Sequence, residues 1–321
     1  MQQFTSLCYH YIRTKNNQFP RILGNDIDEF IDHIKMLQKK YSIISANDVL
    51  NFYYNNQSFK NNKNILITFD DGLSDHFEAA KILHENDIKA MFFVPTCILD
   101  EKLPANPMII HYCIAEFGIT NFLGTFYDII EELKVSNNID FSINHFNEFN
   151  NRWDKISQIK NMFKYKIQYS LSRKILIKIF QKLFLEKYPN GLDIIHLNEN
   201  KIRDMIKMGH TIGTHTHTHL SIGATKLNSN DFKKEVINPK KILEKRFDLE
   251  IFSFSYPFGE KQDCLSSAEL LKNTKEYKIA FTVEENKNTK KTSPLLLGRY
   301  MPTSKDSAKK LSLKIEKIFN S

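Results

Sequence analysis

Two hydrophobic patterns alternate along most of this chain. Short apolar runs, which are typical of buried parallel strands, lie at 7–12, 41–44, 65–69, 89–95, 210–214, 251–256, 278–283 and 295–300. Between them, the patterns over 26–40, 46–54, 74–86, 198–208, 231–247, 266–275 and 306–319 predict helices. Strands that alternate with helices imply a mostly parallel sheet, so the sequence predicts an α/β fold.

The strand predicted at 65–69 ends in two adjacent carboxylates, Asp70 and Asp71, which are followed by Gly72. Two carboxylates at the end of a buried strand repel each other and are costly to desolvate. A divalent ion explains the pair, because one carboxylate can bind the ion while the other stays free to move a proton. The alternative is a strand-to-helix turn in which an aspartate caps the next helix.

A second polar stretch, 209–219, holds four of the eleven histidines. His215 and His219 are four residues apart, so a helical turn or a tight loop places both imidazoles on one side, as two ligands of one divalent ion. Two histidines and one aspartate leave coordination positions open for water and substrate, as in catalytic metal sites. The alternative is a histidine-rich loop without a metal. Surface or packing roles are expected for His210 and His217.

Three segments carry a family resemblance. Thr68–Gly72 resembles the first motif of the polysaccharide deacetylases, which are also called carbohydrate esterase family 4 or the NodB-homology domain. His215–His219 resembles the second motif, and Ser255–Gly259 resembles the third, with a serine at 255 where the family usually has arginine. The Tyr-His pair at 9–10 is similar to the leader of the poly-N-acetylglucosamine deacetylases.

The resemblance covers about 5–97 and 198–302 and implies a distorted (β/α) barrel of the NodB-homology type. It also implies a metal-dependent hydrolase that removes acetyl groups from N-acetylated sugars. The implied ligands of one divalent ion, expected to be Zn²⁺, are Asp71, His215 and His219, and the implied general base is Asp70. The residues implied on the oxyanion and substrate side are Phe258, through its backbone N–H, together with Pro257, Tyr256 and Arg299.

The chain departs from the family pattern at the general acid and at the third motif. The family's late histidine, its general acid, has no counterpart here, because no histidine follows His219. His10 is the predicted acid, since it ends the first predicted strand, on the sheet edge that also holds Asp70. The alternative for His10 is a packed histidine bonded to the backbone. Arg299 is predicted either to orient Asp70, as the missing motif arginine would, or to form an ordinary surface ion pair.

The first and second motifs lie much further apart than is usual in the family. Residues 98–197 are therefore interpreted as a helical insertion between two parts of the barrel, 1–97 and 198–321. Patterned stretches within the insertion are 108–117, 122–133 and 171–188. The insertion is predicted to be either a helical decoration beside the barrel or a lid or substrate-binding subdomain at its mouth.

Composition and charge limit which partners and which cellular compartment are expected. The net charge of +8 fits an anionic or lipid-linked partner, but no basic run with interleaved aromatics supports nucleic-acid binding. Four scattered cysteines without a C-x-x-C pair are expected to be buried free thiols in a reducing compartment. The N-terminus has no apolar signal core and no run has the length of a transmembrane helix, so a cytoplasmic location is expected.

The favoured function is an amide hydrolase that acts on an N-acylated sugar in a polysaccharide, lipopolysaccharide or other glycan precursor. N-acetyl is the expected acyl group and N-formyl the alternative, and membrane-associated glycan-assembly proteins are expected partners. The alternative function is a catalytically impaired homologue that binds carbohydrate or acts as a scaffold, which intact Asp70, Asp71, His215 and His219 disfavour. The sequence does not give the oligomeric state.

Overall fold

The short apolar runs form strands and the periodic stretches form helices. The structure, a computed structural model, describes residues 2–14, 18–135, 151–225 and 227–321. Its strands are β1 Gln3–Tyr9, β2 Ile12–Arg13, β3 Asn25–Asp26, β4 Ser42–Ile44, β5 Asn64–Phe69, β6 Met91–Val94, β7 Thr211–Thr214, β8 Ser253–Ser255, β9 Ile279–Phe281, β10 Asn288–Thr289 and β11 Arg299–Tyr300.

The helices lie between these strands and in one long segment without strands. They are α1 Ile27–Lys40, α2 Ala46–Tyr54, α3 His76–Glu85, α4 Asn106–Leu133, α5 Arg152–Asn161, α6 Tyr169–Ile179, α7 Gly191–Ile195, α8 Glu199–Lys207, α9 Ser229–Phe232, α10 Asn238–Phe247, α11 Lys261–Thr274 and α12 Ala308–Asn320. Short π-helical segments extend three of them, at Met162–Lys166, Phe180–Leu185 and Lys233–Ile237.

The main sheet has nine strands, with the order β10-β1-β5-β6-β7-β8-β9, while β4 pairs with β5 and β11 with β1. Among the described strands of this sheet, every pairing is parallel except that of β1 with β10. Parallel strands need crossover connections, which the intervening helices provide. The carboxyl ends of β1, β5, β7 and β8 therefore lie on the same side of the sheet, where α/β barrels hold their sites.

The segment 297–300 curls this sheet into a distorted barrel. Leu297 bridges Phe281 at the end of β9, and two residues further on Arg299 pairs with Ser6 of β1. The segment thus links the two ends of the parallel run β1-β5-β6-β7-β8-β9. The predicted fold class, a distorted (β/α) barrel of the NodB type, is confirmed.

Apolar burial on both faces of the strands stabilises this arrangement. One cluster contains Phe4, Leu66, Met91, Phe93, Phe281 and Leu297 together with Ile44, Ala46, Val49, Phe52, Phe59 and Ile279. On the opposite face Phe69 stacks on Phe92 with ring centroids 4.6 Å apart, and Tyr9 packs edge-on against Phe30 of α1. Because burying an aromatic side chain contributes about 1.5–3 kcal/mol, these layers fix the strands that carry the site.

Two compact units divide the chain. The barrel unit is Met1–Asn17, Leu23–Lys102 and His196–Ser321, and the helical unit is Gln18–Ile22 and Leu103–Ile195. Part of the predicted insertion, 136–150, lies outside the described residues.

The helical unit has its own core, in which Phe19, Tyr112 and Phe184 pack together. Its longest helix, α4, is kinked at Gly118, whose φ of 83° is open to glycine at little cost. Arg173 of α6 donates to the carbonyl of Pro104 and to the side chain of Asn106, which ties the beginning of α4 to α6. Whether this unit decorates the barrel or covers substrate stays a prediction.

All four cysteines are free and buried, as the sequence predicted. Among the described helices, none combines the length and the apolar character needed to cross a bilayer.

Candidate active site

Three of the predicted site residues meet at the carboxyl ends of β5 and β7. Asp71 Oδ1 lies 3.4 Å from His215 Nε2 and 3.0 Å from His219 Nε2, and all three side chains are buried. One ligand atom from each residue lies within 4.8 Å of the others, as three ligands of one ion would. Asp71 is held in this position although its φ is 79°, because the next residue, Gly72, also adopts a positive φ and His196 Nδ1 donates to both of their carbonyls.

The donors in this triad fit a divalent cation. His215 Nδ1 donates to the carbonyl of Ser255 at 2.9 Å, which leaves the Nε2 lone pair directed at Asp71. Asp71 Oδ1 is buried and, among the described residues, has no hydrogen-bond partner of acceptable geometry, and the same holds for His219 Nδ1. A buried carboxylate oxygen without a donor is costly, and coordination to a cation would satisfy it. Zinc accepts this set of two imidazoles and one carboxylate with a position left open.

The loop between the two histidines is fixed by a buried carboxylate. Glu235 accepts hydrogen bonds from the backbone N–H groups of His217 and Thr218 and from the Thr218 hydroxyl, at 3.0–3.2 Å. His217 itself bridges Thr96 and Glu101 through its two ring nitrogens. It is 3% exposed, so the packing role expected for it fits its position better than a surface role.

His210 is likewise a packed histidine. It accepts from the backbone N–H of Ala90 through Nδ1, and its Nε2 donates to the carbonyl of Ala80.

Hydrogen bonds from the side chains of Arg299, Ser255 and Cys8 hold Asp70, the predicted base, in place. Arg299 donates to both of its oxygens, from Nη1 to Oδ1 at 2.8 Å and from Nη2 to Oδ2 at 2.6 Å. Ser255 donates its hydroxyl to Oδ2 at 2.9 Å, and the Cys8 thiol donates to the same oxygen at 3.4 Å. Arg299 is completely buried, so the alternative of an ordinary surface ion pair is wrong. Arg299 and Ser255 thus both contact the carboxylate that was predicted as the base.

The charges in the site favour an ionised carboxylate pair. Burial opposes ionisation of Asp70, but the Arg299 guanidinium outweighs it, so the pKa of Asp70 lies below its ordinary value. Burial also opposes ionisation of Asp71, yet His219 and His215 hold its pKa well below the ordinary value. Burial lowers the pKa of His219; at His215 burial acts in the same direction, but the charges of Asp70 and Asp71 outweigh it and raise the pKa.

His10 directly follows β1 and lies at the same edge of the sheet as Asp70. The backbone N–H of Asp70 donates to the carbonyl of Tyr9, which sets the two strand ends side by side. The His10 ring nitrogen Nδ1 is 4.0 Å from the Cys8 sulfur, and the carbonyl of His10 accepts from His76 Nε2. The ring is partly exposed, as a residue that meets substrate should be. Its role as the acid stays a prediction.

The third motif forms a strained turn after β8. Phe258 has a φ of 66°, and its ring packs edge-on against that of His219 with centroids 4.8 Å apart. Pro257 is buried directly before it. The hydroxyl of Tyr256, which was predicted on the substrate side, donates instead to the carbonyl of Leu295 in the interior. Tyr256 therefore shapes the turn from within, and its hydroxyl is directed away from a substrate.

Two supporting residues were not predicted from the sequence. Cys8 had a detectable signal, since it precedes His10 by two residues and period-two alternation places both side chains on one face of the strand. Glu235 had none, because a glutamate in a lysine-rich amphipathic helix is normally solvated.

Taken together, the fold and the site define an α/β barrel with a carboxylate–imidazole centre at the carboxyl ends of its strands. Residues 183–282 match the family model described as polysaccharide deacetylase. The predicted resemblance to that family, and with it the class of a deacetylase-like hydrolase, is confirmed. No sequence among the curated proteins matches this chain significantly.

Solved structures with similar folds include the Streptococcus pyogenes deacetylase PplD in complex with acetate, with a TM-score of 0.60, 15% identity and 98% of each chain covered. IcaB from Ammonifex degensii gives a TM-score of 0.57 at 14% identity, again with 98% of each chain covered. The BpsB deacetylase domain from Bordetella bronchiseptica gives 0.50 at 14% identity, covering 93% of this chain and 95% of that one. At these identities the likeness establishes the fold.

Proposed function

We propose that this protein is a metal-dependent N-deacetylase of an amino sugar within a polysaccharide, lipopolysaccharide or other glycan precursor. The observation that carries the proposal is the convergence of Asp71, His215 and His219 beside a second carboxylate, Asp70, which Arg299 holds in place. Asp70 is paired with Arg299, and Asp71 lies beside the imidazoles of His215 and His219. A purely structural role would not require two buried carboxylates in this arrangement. The family match over 183–282 supports the reaction class.

Each residue has a role that its position allows. When bound by Asp71, His215 and His219, a divalent ion, for which Zn²⁺ is our first choice, supplies Lewis acidity toward the amide carbonyl and toward water. Asp70 would accept the proton of the attacking water, because it is adjacent to Asp71 and is not one of the three ligands. The backbone N–H of Phe258 stabilises the developing oxyanion, and His10 donates a proton to the leaving amine.

Replacing the base tests this proposal directly. Asp70→Asn keeps the shape of the side chain and leaves the triad intact, so it should keep its metal while acetate release from N-acetylglucosamine oligomers falls by about two to four orders of magnitude. The matched control is Asp204→Asn, which changes an exposed carboxylate of α8 and should keep normal turnover. A wild-type protein that binds these oligomers but releases no acetate would instead support a carbohydrate-binding homologue.

Further details of the proposal rest on sequence alone. N-acetyl is preferred over N-formyl as the acyl group. Membrane-associated glycan-assembly proteins stay predicted partners. The reducing compartment and the cytoplasmic location stay predictions.

A further inference from the structure

A second group of metal-ligating atoms lies beside the triad and shares none of its residues. The Cys8 sulfur is 3.4 Å from Asp70 Oδ2 and 4.0 Å from His10 Nδ1. One ligand atom from each of these three side chains lies within 4.8 Å of the others. Cys8 and Asp70 are buried, while His10 is partly exposed.

The spacing and chemistry of these atoms suit a soft cation. Around a tetrahedral zinc ion, metal–sulfur and metal–nitrogen bonds of about 2.3 and 2.05 Å place the two ligand atoms roughly 3.6 Å apart. The observed sulfur–nitrogen separation between Cys8 and His10, 4.0 Å, is slightly longer than that value, and the sulfur–oxygen separation between Cys8 and Asp70 is 3.4 Å. Thiolate and imidazole ligands favour Cd²⁺ and Zn²⁺ over Mg²⁺ or Ca²⁺.

We propose that Cys8, His10 and Asp70 form a second cation site, which takes Cd²⁺ or excess Zn²⁺ and thereby inhibits the enzyme. The inhibition rests on the proposed function, because the ion would occupy the atoms that Asp70 and His10 need for proton transfer. Arg299 already donates to both oxygens of Asp70, so its positive charge opposes a nearby cation. The second site is therefore weaker than the triad and fills only after it.

Binding exchanges a proton for the ion without any redox step. The Cys8 thiol is buried and donates to Asp70 Oδ2, so the sulfur carries a proton that a cation has to displace. The S–H bond breaks, the proton passes to the buffer, and a metal–sulfur bond forms, with water able to complete the coordination. The hydrogen bond from Cys8 to Asp70 is lost in the exchange. Binding of the second equivalent should therefore release a proton and strengthen as the pH rises.

Titration of the metal-free protein with Cd²⁺ tests the site without measuring activity. We expect two equivalents per chain by equilibrium dialysis. The ultraviolet thiolate-to-cadmium charge-transfer band should rise only with the second, because the triad contains no sulfur. Cys8→Ser should bind one equivalent without the band, whereas Cys113→Ser, which removes another buried thiol, should keep both. A single equivalent in wild type, or a band that persists in Cys8→Ser, overturns the proposal.

His10→Gln is the second variant, in case Cys8→Ser does not fold. Loss of a metal ligand should weaken the second equivalent by at least the roughly 10–100-fold that removal of a supporting group costs, while the first equivalent is unchanged. If His10→Gln binds the second equivalent as tightly as wild type, the site is not as proposed. Activity is measured in a separate experiment, in which acetate release should fall as the charge-transfer band rises. A band without any deacetylase activity would overturn the proposed function and leave the cation site supported.

Discussion

Asp70 and Asp71 are neighbours in sequence, yet their surroundings give them different tasks. Asp70 is paired with Arg299, which neutralises it and fixes its orientation, while Asp71 points at two imidazoles. Two adjacent carboxylates would otherwise raise each other's pKa. The separation of their partners lets both stay ionised, so that one holds a cation while the other accepts a proton.

Arg299→Met should raise the pKa of Asp70, because it removes the largest influence that lowers it and leaves burial, which raises it. A carboxylate base works only when ionised, so activity is lost below its pKa. We expect the acid limb of the pH–rate profile to move upward by about one to three pH units, the range for an aspartate beside an arginine. The variant also leaves a buried charge unpaired, at a cost of about 3–5 kcal/mol in the free energy of unfolding.

Two further variants separate charge from stability in this experiment. Arg299→Lys keeps the positive charge but not the bidentate contact, so its acid limb should move less. Arg203→Met removes an ion pair on α8, away from Asp70, and should leave the pH–rate profile unchanged. An acid limb that stays in place in a folded Arg299→Met protein would show that Arg299 does not control the base.

His10→Ala should lower kcat sharply and leave metal content and KM nearly unchanged, if the ring protonates the leaving amine. A general acid must be protonated, so its deprotonation produces the alkaline limb of the pH–rate profile. That limb should flatten in the variant. His84→Ala removes an exposed histidine of α3 and is the control. Wild-type kcat in His10→Ala would assign the acid to another group.

Local sequence pointed to four residues that meet at the site, left the role of Arg299 open, and did not predict Cys8 or Glu235. Asp70, Asp71, His215 and His219 stand in short motifs, and the spacing within each motif was enough to predict a shared site. Cys8 contacts Asp70 from 62 residues away and Arg299 from 229 residues away. Such contacts depend on the order of strands in the sheet, which one sequence does not contain.

At the scale of elements, predictions succeeded where propensity and packing agree. Helix α2 has the predicted bounds, because the Ser45–Asp48 capping box defines its beginning and its apolar residues face the core. The helix predicted over 231–247 is interrupted shortly before Pro239 by a π-helical segment, Lys233–Ile237, that no local pattern indicated. This bulge carries Glu235, consistent with the tendency of π-bulges to lie at functional sites.

Glu235→Ala should weaken the metal site from outside it. The side chain is completely buried and receives three hydrogen bonds from the loop that joins His215 to His219. Without it the loop loses its anchor, so metal affinity should fall by about 10–100-fold, as for other supporting groups around metal ligands. Competition with a chromophoric chelator measures this affinity.

Conservative and remote substitutions give the controls for Glu235. Glu235→Gln keeps an oxygen acceptor for the backbone N–H groups, so it should restore much of the affinity. Asp231→Asn changes a partly exposed carboxylate of α9 and should change nothing at the site. Equal affinity in wild type and Glu235→Ala would mean that the loop is held by its contacts with Thr96 and Cys97 alone.

At the scale of the whole molecule, the fold class followed from the alternation of strands and helices, but closure of the barrel did not. A strand was predicted over 295–300, but the sequence did not show that Leu297 would pair with the end of β9 and Arg299 with β1, because these pairings depend on the order of strands in the sheet. The same closure places Arg299 inside the barrel, against Asp70. Its position at the site and the shape of the fold therefore have one cause, which explains why the sequence left its role open.

Removal of the metal should loosen the barrel unit locally and leave the helical unit unchanged. Asp71 and His219 both adopt positive φ values, and bound metal offsets the cost of that strain and of the buried Asp71 charge. A ligand present at 100 times its Kd stabilises the folded state by about 2.7 kcal/mol.

After chelation, hydrogen exchange should accelerate at 70–73 and 215–220, while α6 exchanges at its original rate. Added Zn²⁺ should reverse the change in wild type but not in Asp71→Asn, and unchanged exchange at both loops would argue against a metal at this triad.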